Sequence, residues 1–221
     1  MANVFAPFGF AESHRLGAAP NYQIGGTKRY IATNNANPIY FGDPVIQISS
    51  GYVAQAVPSA SAAQVSGIFL GCEYMSKAAK RVVWSPWWPG VTGDVVVASA
   101  GSPNYGFDIT AKVIDDPLTV FRVQANGQLT LAMIGMNATW TFGLAAGTAP
   151  GTNPAPNQMS GMSNCALDIS VVAAPAVTAF PFRILDLIRD PPGVNGTDIN
   201  TPYNWAFVTF NNQDFKTTTG I

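Results

Sequence analysis

Residue types that usually carry acid–base, nucleophilic or zinc chemistry are scarce in this chain. Among 221 residues there is one histidine, His14, and there are two cysteines, Cys72 and Cys165. Glu12 and Glu73 are the only glutamates. General acids, general bases and zinc ligands are drawn mostly from these types. His14 lies in the polar stretch Glu12-Ser13-His14-Arg15. A catalytic imidazole needs a packed partner to fix its tautomer, so His14 reads as a surface or interface residue. Cys72 follows Gly71 on a strand-like run with nothing basic beside it, and reads as a buried, inert thiol. The two cysteines stand too far apart in sequence, 93 positions, to outline a disulfide framework. Asp115-Asp116 is the most acidic pair, but adjacent strand residues point to opposite faces. Asp115-Asp116-Pro117 and Gly42-Asp43-Pro44 both read as strand-end turns. Walker, dinucleotide-binding, HExxH, CxxC and GxSxG patterns are absent. The expectation is a chain that is not an enzyme, with no catalytic residue, no cofactor and no metal.

Aromatic residues offer a different chemistry. Trp84-Ser85-Pro86-Trp87-Trp88-Pro89-Gly90 places three indoles on a segment stiffened by two prolines. Tryptophan on such a segment anchors a protein interface, fills a core or stacks on a sugar. Phe5, Phe8 and Phe10 stand among Pro7 and Gly9 near the start. Three rings in so short a stretch need apolar surface to cover them, and each is worth roughly 1.5–3 kcal/mol when buried. Phe5, Phe8, Phe10, Trp84, Trp87 and Trp88 are therefore the candidate protein-interface residues.

Composition points the same way. Charged residues make up 10% of the chain, against about 25% in ordinary soluble domains. A surface so poor in charge is expected to be covered by other protein, including copies of itself. The net charge of −1 provides no basic stripe for nucleic acid. The most apolar stretch, residues 169–182, is broken by Pro175 and Pro181, and falls short of the roughly 20 residues of a spanning helix. The opening residues lack a basic region followed by an apolar core, so no signal peptide is expected.

The elements that must hold these residues are strands. Runs at 45–48, 52–57, 65–75, 81–84, 94–98, 107–115, 120–125, 166–173, 182–189 and 205–210 carry strand-like apolar patterns between Gly and Pro breaks. Residues 128–133 also alternate, and Asn126-Gly127 before them is a strong hairpin signal with residues 120–125. Gly67 and Gly71 inside one run mark a bend or bulge. Ser76–Lys80 has room for a single helical turn at most. About ten short strands without a long helix imply an all-β sandwich or barrel. Residues 1–24 read as an extended N-terminal arm that crosses onto a neighbour. Residues 25–221 read as a single β domain with a long flexible loop at 143–164.

Several stretches resemble a known family. Met1-Ala2-Asn3-Val4-Phe5-Ala6-Pro7-Phe8-Gly9-Phe10 and Arg15-Leu16-Gly17 look like the start of structural proteins of tailed-bacteriophage heads. Gly42-Asp43-Pro44-Val45, residues 67–74, residues 84–90 and Val113-Ile114-Asp115-Asp116-Pro117 extend the resemblance over about residues 1–125. The family is that of capsid cement, or decoration, proteins. The resemblance implies a jelly-roll-like β-sandwich, with a β-tulip or partly open barrel as the alternative. It implies a homo-oligomer, trimer before dimer, on the outer capsid surface of the virion after synthesis in the host cytoplasm. It implies clamping of neighbouring major capsid proteins against internal pressure. A carbohydrate-binding β-sandwich using Trp84, Trp87 and Trp88 is the other reading the residues allow, beside a further phage structural role as major capsid or tail component.

Overall fold

The computed structural model describes residues 2–17, 26–58, 64–96, 109–142, 160–173, 180–191 and 197–216. Within them the chain is all-β, built as two six-stranded sheets. The first sheet runs in the order β1 (Ala11–Arg15), β8 (Thr119–Gln124), β12 (Trp205–Phe210), β11 (Phe182–Leu187), β9 (Asn137–Phe142), β10 (Cys165–Ala173). Every neighbouring pair in it is antiparallel. The second runs β3 (Pro44–Gln47), β4 (Val53–Gln55), β2 (Thr27–Ile31), β7 (Ile109–Ile114), β5 (Gly67–Met75), β6 (Val82–Ser85).

A further pairing of β3 with β5 closes five of these strands into a small barrel, leaving β6 attached outside the ring. Glycine makes the closure possible. A Cβ on Gly67 would lie 2.3 Å from the Ile114 carbonyl oxygen, so a side chain there would force β5 from β7. Four residues on, the register of β5 shifts between Phe69 and Gly71, which is the bulge the glycine spacing announced.

Two cores follow from the period-2 alternation of the barrel strands. On β7, Ile109, Ala111 and Val113 point into the barrel beside Ile31, Val45, Val53, Phe69 and Cys72. Ile114 and Ile68 point out of the barrel, into a second core against the first sheet. That core holds Phe121, Val123, Trp140, Phe182, Ile184, Val208 and Phe210. One barrel wall is thus apolar on both faces, and the two layers share it.

Three sequence expectations change. The Asn126-Gly127 hairpin does not form: β8 pairs with β1 and β12, and residues 131–133 make a 3-10 turn. A type I′ turn needs positive φ at both central residues, and neither Asn126 nor Gly127 has it. The Asn126 amide is committed elsewhere, donating to Asp168 at 2.9 Å and accepting from the Ile169 N–H at 3.0 Å. Residues 94–96 are not a strand. Finally, residues 2–17 fold onto their own domain and contribute β1, so within one chain they are not a free arm. Strands β2 and β9 were not foreseen. Residues 143–159 of the expected loop, and 18–24 of the expected arm, lie outside the described residues.

Candidate interaction surface

The N-terminal segment is fixed by backbone before its rings are placed. The Gln124 side chain, fully inside the fold, accepts from the Ala6 N–H at 2.9 Å and donates to the Val4 carbonyl at 2.8 Å. The Asn3 amide donates to the carbonyls of Asp198 and Pro202. At Gly9 the backbone turns with φ +82°, and a Cβ would meet the Gly42 carbonyl at 2.8 Å. The Phe10 N–H then donates to that same carbonyl at 3.0 Å. Each ring consequently finds a partner within the chain. Phe5 tilts on Tyr203 at 5.0 Å, Phe8 on Trp205 at 4.7 Å, and Phe10 stacks on Phe182 at 4.2 Å. Phe10 is 1% exposed, which makes it a core residue and corrects its assignment as an interface anchor. Phe5 and Phe8 are half-buried.

The tryptophans diverge in the same way. Trp88 is 0% exposed: its backbone bridges to Ile39, and its indole N–H donates to the Asn35 carbonyl at 3.2 Å. It is the second interface candidate that belongs to the core. Trp87 lies flat on Tyr40, with centroids 5.4 Å apart and planes 1° apart, and is half-buried. Trp84 remains outside at 60% exposure. On β6 it stands opposite Glu73, and its ring lies over Gly71, where a Cβ would be 3.0 Å from the indole. Val82, two residues earlier on the same face, is 57% exposed. Among the described residues β6 pairs only with β5, so its outer edge offers unpaired backbone groups. The turn leading into it carries Lys77, Lys80 and Arg81, all exposed. Asp94 holds that turn, accepting from the Ser76 hydroxyl and from the Ala78 N–H at 2.8 Å. Those hydrogen bonds, to Ser76 first, keep its carboxyl below the usual range.

One group that sequence alone presents as a turn aspartate organises the region between these segments. Asp43 is fully buried. One carboxylate oxygen accepts from the Ser163 hydroxyl at 2.5 Å and the Cys165 thiol at 3.3 Å. The other accepts from the Tyr40 N–H at 2.9 Å and the Gln55 amide at 2.7 Å. Burial raises its pKa, and the four donors oppose that rise without cancelling it. Asp43 thereby ties β3 and β4 of the barrel to the strand β10 of the other sheet. Gly42-Asp43-Pro44 showed a turn; nothing in its local pattern showed partners more than a hundred residues away.

The other candidate chemistry stays apart. Asp115 pairs with Arg29 at 2.8 Å and Asp116 with Arg15 at 2.7 Å, so just past the end of β7 the two carboxylates take different partners. Cys72 and Cys165 are both buried, and burial pushes each thiol above its ordinary pKa. His14 is exposed, with its ring edge-on to Phe207 at 5.4 Å. Among the described residues no three His, Cys, Asp or Glu side chains gather as metal ligands, and no helix is long and apolar enough to cross a membrane. Compared with family models, curated proteins and solved structures, the chain matches none.

Proposed function

We propose that this protein is a structural lattice-binding protein, a capsid decoration protein of a tailed-phage head, which docks its β6 face on the major capsid protein. The observation that carries the proposal is Trp84. It is a large aromatic that the fold turns outward, at 60% exposure beside Val82, on an edge strand of its sheet. Exposed apolar residues clustered beside a free edge are characteristic of protein contacts. Lys77, Lys80 and Arg81 at the same end favour an acidic partner surface. The resemblance of residues 1–125 to decoration proteins and the 10% charge content support the same reading. In it, the protein is a homo-oligomer on the outer capsid surface, with the trimer favoured over the dimer. A sugar platform of Trp84, Trp87 and Trp88 loses support, because Trp88 is enclosed and Trp87 is paired with Tyr40.

The test is binding to shells assembled from the major capsid protein of a tailed phage that carries this chain. Wild-type protein should saturate such shells and delay their rupture on heating. Trp84→Ala and Arg81→Glu should each weaken occupancy by about tenfold or more, as expected for an interface anchor, with the melting temperature of the free protein unchanged. Absence of saturable binding by the wild type would sink the proposal.

A further inference from the structure

On the outer face of the six-stranded sheet, away from β6, lies a cavity of about 250 Å³. Phe8, Arg122, Ile188, Asp190, Thr197 and Trp205 line it. Local structure explains how they meet. Arg122 alternates outward on β8 between the core residues Phe121 and Val123. Trp205 opens β12 on the same face, two register positions away across the ladder. The N-terminal segment, held by Gln124, lays Phe8 against Trp205 with their planes 34° apart. The Arg122 guanidinium carbon stands 5.3 Å from the Phe8 centroid and 5.5 Å from that of Trp205. Asp190 borders the same space from the end of β11.

The Arg122 guanidinium rests against both rings, and its N–H donors are left over. Among the described residues, neither the Arg122 guanidinium nor the Asp190 carboxylate has a hydrogen-bond or ion-pair partner. Arginine offers donors only and an ionised aspartate acceptors only. Both stay open to solvent, so their hydrogen-bonding capacity is free for a ligand. A ligand that uses both groups accepts from Arg122 and donates to Asp190 beside two aromatic rings. We propose that this cavity is a binding site for a neutral sugar ring of a glycan. Each hydroxyl both accepts and donates, so one ring satisfies Arg122 and Asp190 together. The C–H face of a pyranose packs on the electron-rich faces of Phe8 and Trp205. The cavity is smaller than the roughly 300–1,000 Å³ that drug-sized ligands occupy, which suits a single ring. Arg122 and Asp190 cancel in charge, and the carboxylate opposes polyphosphates and nucleic acid. The site does not depend on the lattice-binding proposal.

The experiment uses an array of neutral glycans, anionic glycans and peptides probed with the labelled full chain, followed by calorimetric titration of the strongest ligand. Saturable binding should weaken about tenfold or more in Arg122→Ala and in Asp190→Asn, each removing hydrogen bonds to the ligand. Trp205→Ala should abolish it, and Trp84→Ala should leave it unchanged. Arg122 and Asp190 are exposed, so their variants keep the test decisive if Trp205→Ala fails to fold. The proposal is overturned if no neutral glycan binds, if binding survives both polar variants, or if only anionic glycans or peptides bind.

Discussion

Two short aromatic segments, Phe5–Phe10 and Trp84–Trp88, start from similar composition and end in opposite positions. The first lays all its rings on its own domain, and its deepest ring, Phe10, stacks on Phe182 in the main core. The second sends Trp88 inward, leaves Trp87 flat on Tyr40 and presents Trp84 to solvent. What separates them is the surface underneath. The N-terminal segment crosses a sheet end that supplies Tyr203, Trp205 and Phe182 in register with its rings. Trp84 sits on the last strand of its sheet, above a glycine and opposite a glutamate, where it stays 60% exposed. Position along a sheet, not residue type, decides which aromatic becomes core.

The comparison is most easily broken at its buried ends. Phe10→Ala and Trp88→Ala should each cost about 3–5 kcal/mol, the usual loss for a large aromatic removed from a packed core. Denaturant unfolding measures this. A loss under about 0.5 kcal/mol for Phe10→Ala, within the range of surface changes, would mean that residues 2–17 are not part of the isolated fold.

The next effect lies between the two segments, at Asp43. Asp43→Asn leaves one acceptor where four donors converge, and should cost about 2–4 kcal/mol, as for other buried hydrogen-bonded charges. The pH dependence carries a definite sign. Burial raises the folded-state pKa of Asp43 above its unfolded value. Its proton is held more tightly in the folded state, so this stabilisation is full below the unfolded pKa. It is lost as pH rises through the folded value. The stability gap between wild type and Asp43→Asn should therefore narrow from acid toward neutral pH. Urea titrations across that range would refute the assignment if the gap widened instead.

Much of the architecture was legible in the sequence, and the failures share a cause. Strands with strong alternation, such as β5, β8 and β12, were visible because local pattern and burial agree. The glycine bulge in β5 was visible because only glycine tolerates the close approach at 67 and the φ of +135° at 71. The Asn126-Gly127 turn misled because the Asn126 amide is claimed by Asp168, far along the chain. β1, with Glu12, His14 and Arg15, lacks an apolar alternation because it is an edge strand whose side chains are largely wet. Of the six aromatic candidates, sequence could show that they need apolar cover but not which would find it inside the chain. Arg122, Asp190 and Trp205 come together only through the register of β8 with β12 and the path after β11, so no local motif marked them.

Gly71 sharpens the comparison from the exposed side. Gly71→Ala places a Cβ 2.8 Å from the Ser85 carbonyl and 3.0 Å from the Trp84 indole, at a φ that alanine avoids. A cost of about 1–3 kcal/mol is expected from backbone strain of this kind. The variant should also shift Trp84 fluorescence, because the ring must leave its seat. A variant as stable as wild type would show that the bulge can relax and that Trp84 is not held by it.

The smallest stability effect is expected where the proposed functional effect is largest. Trp84 is mostly exposed, its indole has no hydrogen-bond partner among the described residues, and it covers only Gly71 and the adjoining strand. Trp84→Ala should therefore change unfolding free energy by no more than about 0.5 kcal/mol, as surface substitutions usually do. A core tryptophan and an outward one would then differ severalfold in stability cost within five residues of chain. The variant should also be more soluble, because Val82 and Trp84 together form the apolar part of an open edge. Size-exclusion chromatography with light scattering, run at the same concentrations as wild type, separates two uses of that edge. If Trp84→Ala dissociates an oligomer, the edge joins copies of this chain. If the oligomer persists while binding to capsid shells fails, the edge faces the lattice. A loss of several kcal/mol in the isolated protein would instead place Trp84 in the same class as Trp88, and the contrast between the two aromatic segments would collapse.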